Sequence, residues 1–409
     1  MPWRRNLYVL MLSVFVSFSG FTFVSPFLPI FIQQLGVKDT GDAAVWSGII
    51  FGVSPLISGV LAPFWAGRAE RYGPKRVVLF SLLAYAIVLS VNAAIQNVPQ
   101  LLVLRLGIGV LGSVGVMSTA LASTLAPPEQ AGEAVGLMQA TALASGITAV
   151  FGSVVVDAIG LRPAYVLAGF FSLVAFVAMA VGYREEDARG PALVKRQRRG
   201  LRDYARFPIF ISLVLTVFFT RFIDGSFGPQ LPLYISTLHA PAARLGVVTG
   251  LIMTLGAVAT SVAAAGAGRL SSRYAPRRLL LGSLVGGAVF CLPIAFINHW
   301  TQLLVLRTLL GLLAGGALIL AYAIAGRDLP ADARLGAIAT LAGLGQIGMA
   351  VSPFLAGLLA KWINLPSIFV LDGIIYLVLS AWVWLRLAPA PVSAEPEPAS
   401  GIAISSSEE

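Results

Sequence analysis

The sequence predicts an all-α membrane protein, with twelve transmembrane helices in two six-helix bundles related by a pseudo-two-fold axis. Three observations carry that prediction. Long apolar runs recur along the whole chain. Lys and Arg gather between alternate runs. The second half repeats short motifs of the first at a nearly constant offset.

An apolar run of about 20 residues crosses the ~30 Å hydrocarbon layer. Backbone groups in lipid must be paired internally, so runs of this length are helices. They fall at roughly 8–34, 46–66, 76–96, 99–121, 134–157, 164–182, 208–236, 245–267, 278–297, 302–325, 335–360 and 367–387, here spans 1 to 12. Composition agrees: 57% of residues are hydrophobic and 11% charged, against roughly 25% charged in a soluble domain. Much of the surface therefore does not face water. The net charge of +10 could point to nucleic acid. The charges sit in short clusters between apolar runs, however, which suits a lipid bilayer, and no nucleic-acid partner is expected. Arg4 and Arg5 precede the first run. No small-residue cleavage site follows a short apolar core, so that run reads as a retained span and not a signal peptide.

Charge sets the expected orientation. With the N terminus in the cytoplasm, the cytoplasmic segments hold 21 of the 28 Lys and Arg. The outside segments hold Lys38, Arg162, Arg244 and Lys361, and only Arg105, Arg221 and Arg307 lie within spans. This is a strong positive-inside bias, and it puts both termini in the cytoplasm. The expected organisation is an N-terminal bundle at 1–183, a basic linker at 184–206, a C-terminal bundle at 207–388 and a disordered tail at 389–409. The linker carries Lys195, Arg196, Arg198 and Arg199 and suits an anionic inner leaflet. The tail is rich in Pro, Ser and Glu.

The halves repeat. QLLVLR occurs at 100–105 and again at 302–307, an offset of 202. AGRAERYGPKR at 66–76 answers GRLSSRYAPRR at 268–278 at the same offset. Pro26 and Pro29 in span 1 answer Pro229 and Pro232 in span 7, offset by 203, and Gly48-x-x-x-Gly52 has a relative in Gly246-x-x-x-Gly250. Parallel six-span repeats imply two bundles related by an axis along the membrane normal.

These motifs resemble the major facilitator superfamily. The loop Ala66-Gly67-Arg68-Ala69-Glu70-Arg71-Tyr72-Gly73-Pro74-Lys75 is similar to its G-x-L-A-D-R-x-G-R-K signature, departing at Ala66, Glu70 and Pro74. Arg105 with Gly109 and Gly112 resembles the family's R-x-x-x-G pattern. Pro26 and Pro29 resemble the proline pair of the drug:proton antiporter branch. The opening WRRNL, PFLPIFIQQLGV, WSGIIF and APFWAGRAERYG looks closest to MdtG-like multidrug efflux proteins. One departure is plain: span 5 reads ASGITAVFGS at 144–153, without the branch's proline, and a better copy of that motif lies at Gly348 to Gly357 in span 11.

The resemblance implies that Glu70, Arg71, Gly73 and Lys75 form a cytoplasmic gating loop latching the two bundles. A carboxylate near a helix N-terminus is favoured by backbone donors, and Gly73 permits a tight turn. Glu129 and Glu133 are candidate partners for Arg71 and Lys75. The plainer reading is a basic stop-transfer loop that only sets topology. The second copy has Ser272 at the acid position and reads as a basic turn.

Charges in mid-bilayer are costly and normally face the bundle interior. The proton-coupling candidates are therefore Asp224, Asp372, Arg105, Arg307 and Arg221. Helix rise puts Asp224 about 24 Å past Pro208, level with Arg307 and Asp372, so an Arg307 pair with either acid is geometrically allowed. In one reading each carboxylate is locked to an arginine and holds the bundle together. In the other it takes up a proton from outside. Asp224 is the first choice because Gly225, Gly228 and Pro229 beside it allow a bend. The resemblance further implies a cavity lined by spans 1, 4, 7 and 10. Its apolar candidates are Phe21, Met117, Phe219, Phe222 and Phe227, and its polar ones Thr22, Ser25, Gln139 and Gln346. Apolar, adaptable walls suit small lipophilic substrates, and packing alone explains any one of these residues.

The expected function is a secondary transporter, a monomer in a bacterial inner or plasma membrane, exporting lipophilic compounds against protons. A sugar, metabolite or lipid-linked substrate is the alternative within the fold. A non-transporting sensor is the alternative of another class, but it needs a sizeable soluble signalling domain. Enzyme chemistry is not expected: His239 and His299 lie in outside loops and Cys291 stands alone, which leaves no catalytic cluster, metal site or cofactor. The absence of G-x-x-x-x-G-K-[ST] argues against an ATP-driven pump.

Overall fold

The protein is described from a computed structural model, which covers residues 2–111, 114–126, 131–184, 204, 206–241, 245–271, 273–329 and 331–387. The described residues are helical, with short 3-10 turns and no strand. Eleven helices are long and apolar enough to cross a membrane. The twelfth span is the shorter Val98–Leu111, followed by Val114–Leu125. Most of the expected linker and the whole tail lie outside the described residues.

Local chemistry sets where the helices begin. Asp39 caps span 2 (Thr40–Tyr72), its Oδ2 accepting from the Asp42 backbone N–H at 2.8 Å. His299 and Gln302 form a capping box at the start of span 10 (Trp300–Ala314). Gly73 joins spans 2 and 3 with φ +89°, a conformation that favours glycine. The paired prolines act differently in the two halves. In span 1, Pro26 lies in a 3-10 turn, Ser25–Phe27, between Pro2–Val24 and Leu28–Gln34. In span 7 (Pro208–Thr237) the α-helix runs through Pro229 and Pro232 without a break. The bend expected beside Asp224 is therefore not marked by an interruption of that helix.

Packing separates the two halves. One core joins buried side chains from Tyr204 to Leu387. Two others lie wholly between Trp3 and Tyr183, one around Leu7, Val78 and Met179 and one around Phe27, Leu101 and Tyr165. Among the described residues, no core of large side chains crosses between the bundles.

The seam between them is built from small residues. In span 2, a Cβ on Gly48 would strike the Pro353 carbonyl, and one on Gly52 the Ala350 carbonyl, both in span 11 (Ala331–Trp362). In span 8 (Leu245–Leu270), Gly246 faces the Asp157 carboxylate and Gly250 faces Ser153 and Ala149 of span 5. The two related glycine pairs thus occupy equivalent places, span 2 on span 11 and span 8 on span 5. Without Cβ atoms the backbones approach closely.

The seam is asymmetric along the helices. At the face away from the N terminus, Lys361 Nζ lies 2.7 Å from Asp42 Oδ1, and Gln230 Nε2 donates to Ala44 O at 3.3 Å. Nearer the middle, Thr254 Oγ1 accepts from the Val150 N–H at 3.0 Å and donates to Ile147 O at 3.2 Å.

Candidate functional site

The intramembrane charges fall into two groups. The first lies in the C-terminal bundle, on spans 7, 10 and 12. Arg221 and Asp224 sit three residues apart, on one face of span 7. That face looks across the seam, because Arg221 Nη2 reaches Gln139 Oε1 of span 5 at 3.4 Å. Asp224 is exposed and within electrostatic reach of Arg221 and Arg307. Arg307 lies against Gly256 of span 8, with its guanidinium 4.6 Å from the centre of the Phe227 ring.

None of these arginines forms a salt bridge with a described carboxylate. The arginine locks weighed for Asp224 and Asp372 are absent, and so is the Arg307–Asp372 pair. Asp372 is fully buried, and its Oδ2 accepts from the hydroxyl of Ser226. Its Oδ1 has no partner. Ser226 lies on the side of span 7 that meets span 12, and the Arg307 guanidinium lies over the Phe227 ring. Ser226 carries no sequence signal that would have singled it out. Tyr322, near enough to Arg221 to feel its charge, was missed for the same reason.

The second group is Arg105, deep in the N-terminal bundle and 2% exposed. Its guanidinium lies 5.4 Å from the Phe21 ring centre and close to Tyr85 and Tyr165. No described carboxylate is near it, which separates it from the Asp224 group.

The expected cavity residues divide. Phe21, Thr22, Gln139, Phe219 and Gln346 are partly exposed. The Thr22 hydroxyl is turned back onto Phe18 O at 2.8 Å, and Phe219 stacks edge-on against Phe218 and Phe222. Ser25, Met117, Phe222 and Phe227 are buried and do not line an open space. Met117 belongs to the core around Leu7 and Val78. Phe227 is sandwiched by Phe369 and Arg307. Aromatic spacing on a helix does not distinguish these from cavity residues, because core and cavity walls are both apolar.

In the loop between spans 2 and 3, Lys75 and Arg71 have described contacts within their own bundle. Lys75 Nζ donates to Tyr183 O at 2.8 Å, within its own bundle. Arg71 lies 5.3 Å from the Tyr72 ring centre. Its counterpart loop behaves alike, since Arg277 pairs with Asp328 at 2.8 Å inside the second bundle. The side chains of Glu70 and Glu133, and all of Glu129, lie outside the described residues.

Comparison with known proteins fits this architecture. The family model described as Major Facilitator Superfamily matches residues 10–259 and 213–407, nearly the whole chain. The chain belongs to the Major Facilitator Superfamily. Within it, the chain is 33% identical over 322 residues to "Multidrug resistance protein MdtG" of Citrobacter koseri, covering 78% of each chain. It is 28% identical over 398 residues to the protein of the same name from Dickeya zeae, covering 94% of this chain and 95% of that one. Among solved structures, a bacterial homolog to the human lysosomal transporter Spinster, in an inward-facing and occupied conformation, aligns with a TM-score of 0.72 at 15% identity. That alignment covers 95% of this chain and 97% of the other. The similarity is one of fold. As a superfamily member, the chain is a multi-pass membrane transporter with two six-helix bundles.

Proposed function

We propose that this transporter exports small lipophilic compounds in exchange for protons, by rocking one bundle against the other. The observation that carries the reading is Asp224: an exposed carboxylate within a membrane span, on a face shared with Arg221 and close to Arg307. Its charge decides how much of the two guanidiniums' charge is compensated. Protonation from the far side would reduce the compensation of both and so favour a different arrangement of the walls. Similarity to relatives named multidrug resistance proteins supports export of varied compounds. The apolar, partly exposed Phe21 and Phe219 suit such ligands.

The orientation follows the charge bias. The face bearing the N terminus is cytoplasmic, and the sealed face at Asp42 and Lys361 lies outside. The conformation is then inward-facing. Glu70, Arg71, Gly73 and Lys75 act in gating by holding the ends of spans 2 and 3 to their own bundle, so that the bundle moves as a body. The protein works as a monomer in a bacterial inner membrane.

The test is efflux of fluorescent dyes and antibiotics from cells expressing the protein, with and without an uncoupler. Uncoupler-sensitive efflux above the empty-vector control is expected. Equal dye retention in expressing and control cells across a broad panel would remove the proposal.

A further inference from the structure

We propose that Arg105 and Tyr165 form a binding site for a compact anion inside the N-terminal bundle, separate from the Asp224 group. The argument starts from a missing counter-ion. Arginine stays charged in proteins, and an uncompensated buried charge is strongly destabilising.

The internal repeat shows what is missing. Arg105 and Arg307 occupy equivalent places in QLLVLR, and each lies over a phenylalanine ring. Arg307 has Asp224 and Asp372 within electrostatic reach. At the offset of the proline pairs, the counterpart of Asp224 is Phe21. At the offset of QLLVLR, the counterpart of Asp372 is Phe170. Spans 1, 3, 4 and 6 contain no acidic residue at all. The acids nearest in sequence are Glu129 and Glu133, between spans 4 and 5, and Glu70, between spans 2 and 3, while Asp157 faces Gly246 at the far end of the seam.

Nε and Nη2 of Arg105 and the hydroxyl of Tyr165 are all buried without a hydrogen-bond partner. The Tyr165 hydroxyl lies beside the guanidinium, close enough to interact with it. Two guanidinium donors without a hydrogen-bond partner, beside a phenol, match a halide or a carboxylate. The half-buried Phe21 ring covers the guanidinium and restricts the site to a small head group. That group is either a free ion from solution or the acid of a lipophilic ligand, and only the second rests on the transport reading above.

The test needs no transport. Full-length protein in zwitterionic nanodiscs is titrated with chloride, bromide or benzoate against gluconate at constant ionic strength, and the thermal midpoint is followed. A saturable rise is expected with a compact anion. Saturation by halide identifies the solution ion, and saturation by benzoate alone identifies the acid of a lipophilic ligand. Arg105→Gln should abolish the rise, and Tyr165→Phe should weaken half-saturation roughly tenfold, the loss of one hydrogen bond to a charged group. Midpoints that match gluconate in every series, or a saturable rise that survives in Arg105→Gln, would overturn the site. If Arg105→Gln does not fold, Tyr165→Phe carries the test, and an unchanged half-saturation there overturns it.

Discussion

Lys361 at the end of span 11 meets Asp42 in the first turn of span 2, with Nζ 2.7 Å from Oδ1, and this ion pair bridges the two bundles at the face away from the N terminus. Both side chains are well exposed, so the pair adds little to folding. Its consequence is for the balance between conformations. Asp42→Asn should leave the thermal midpoint nearly unchanged while raising thiol labelling of a cysteine introduced at Thr237, beside that face. Labelling that stays at the parent level would show that the glycine seam alone keeps the face closed.

The seam itself should tolerate no bulk. Gly48→Leu would drive a side chain into the Pro353 carbonyl, and Gly250→Leu into Ser153. Overpacking of this kind costs about 1–3 kcal/mol. Because each bundle keeps its own core, both variants should still fold and insert but lose transport. Wild-type dye efflux by either variant would exclude tight packing there as a requirement for function.

Asp224→Asn tests the coupling role. Uphill, uncoupler-sensitive transport in proteoliposomes should disappear while downhill exchange of the same compound persists. If the asparagine variant still drives uphill transport from an imposed proton gradient, Asp224 is not the coupling acid.

The Ser226 hydroxyl is the sole hydrogen-bond partner of the buried Asp372 carboxyl among the described residues. Ser226→Ala should destabilise the protein by about 1–3 kcal/mol, the penalty for leaving a buried polar group without its partner. Asp372→Asn, which keeps an acceptor for the hydroxyl, should be milder. Thermal unfolding in one detergent compares the two. A larger loss for Asp372→Asn would mean that the charge of Asp372, and not its bond to Ser226, stabilises the bundle.

Much of the architecture was legible because the bilayer imposes a simple rule on sequence. A helix must be about 20 apolar residues long to satisfy its backbone in lipid. The repeat at 100–105 and 302–307 then revealed the two halves, and the paired glycines of spans 2 and 8 proved to share a place at the seam. The site was legible only as a set of residues. Sequence singled out Asp224, Arg221 and Arg307 because charges in spans are rare. It did not disclose that Gln139 meets Arg221, that Ser226 serves Asp372, or that Met117 and Phe227 are core and not wall.

The chain alone determined how many segments cross the membrane, their expected direction and the kinship of the halves, since these depend on local hydropathy and on charge between helices. Which side chains meet was decided only by the tertiary structure. Partners such as Lys361 and Asp42 are 319 residues apart, and the rotation of each helix within its bundle selects one neighbour among several of equal polarity.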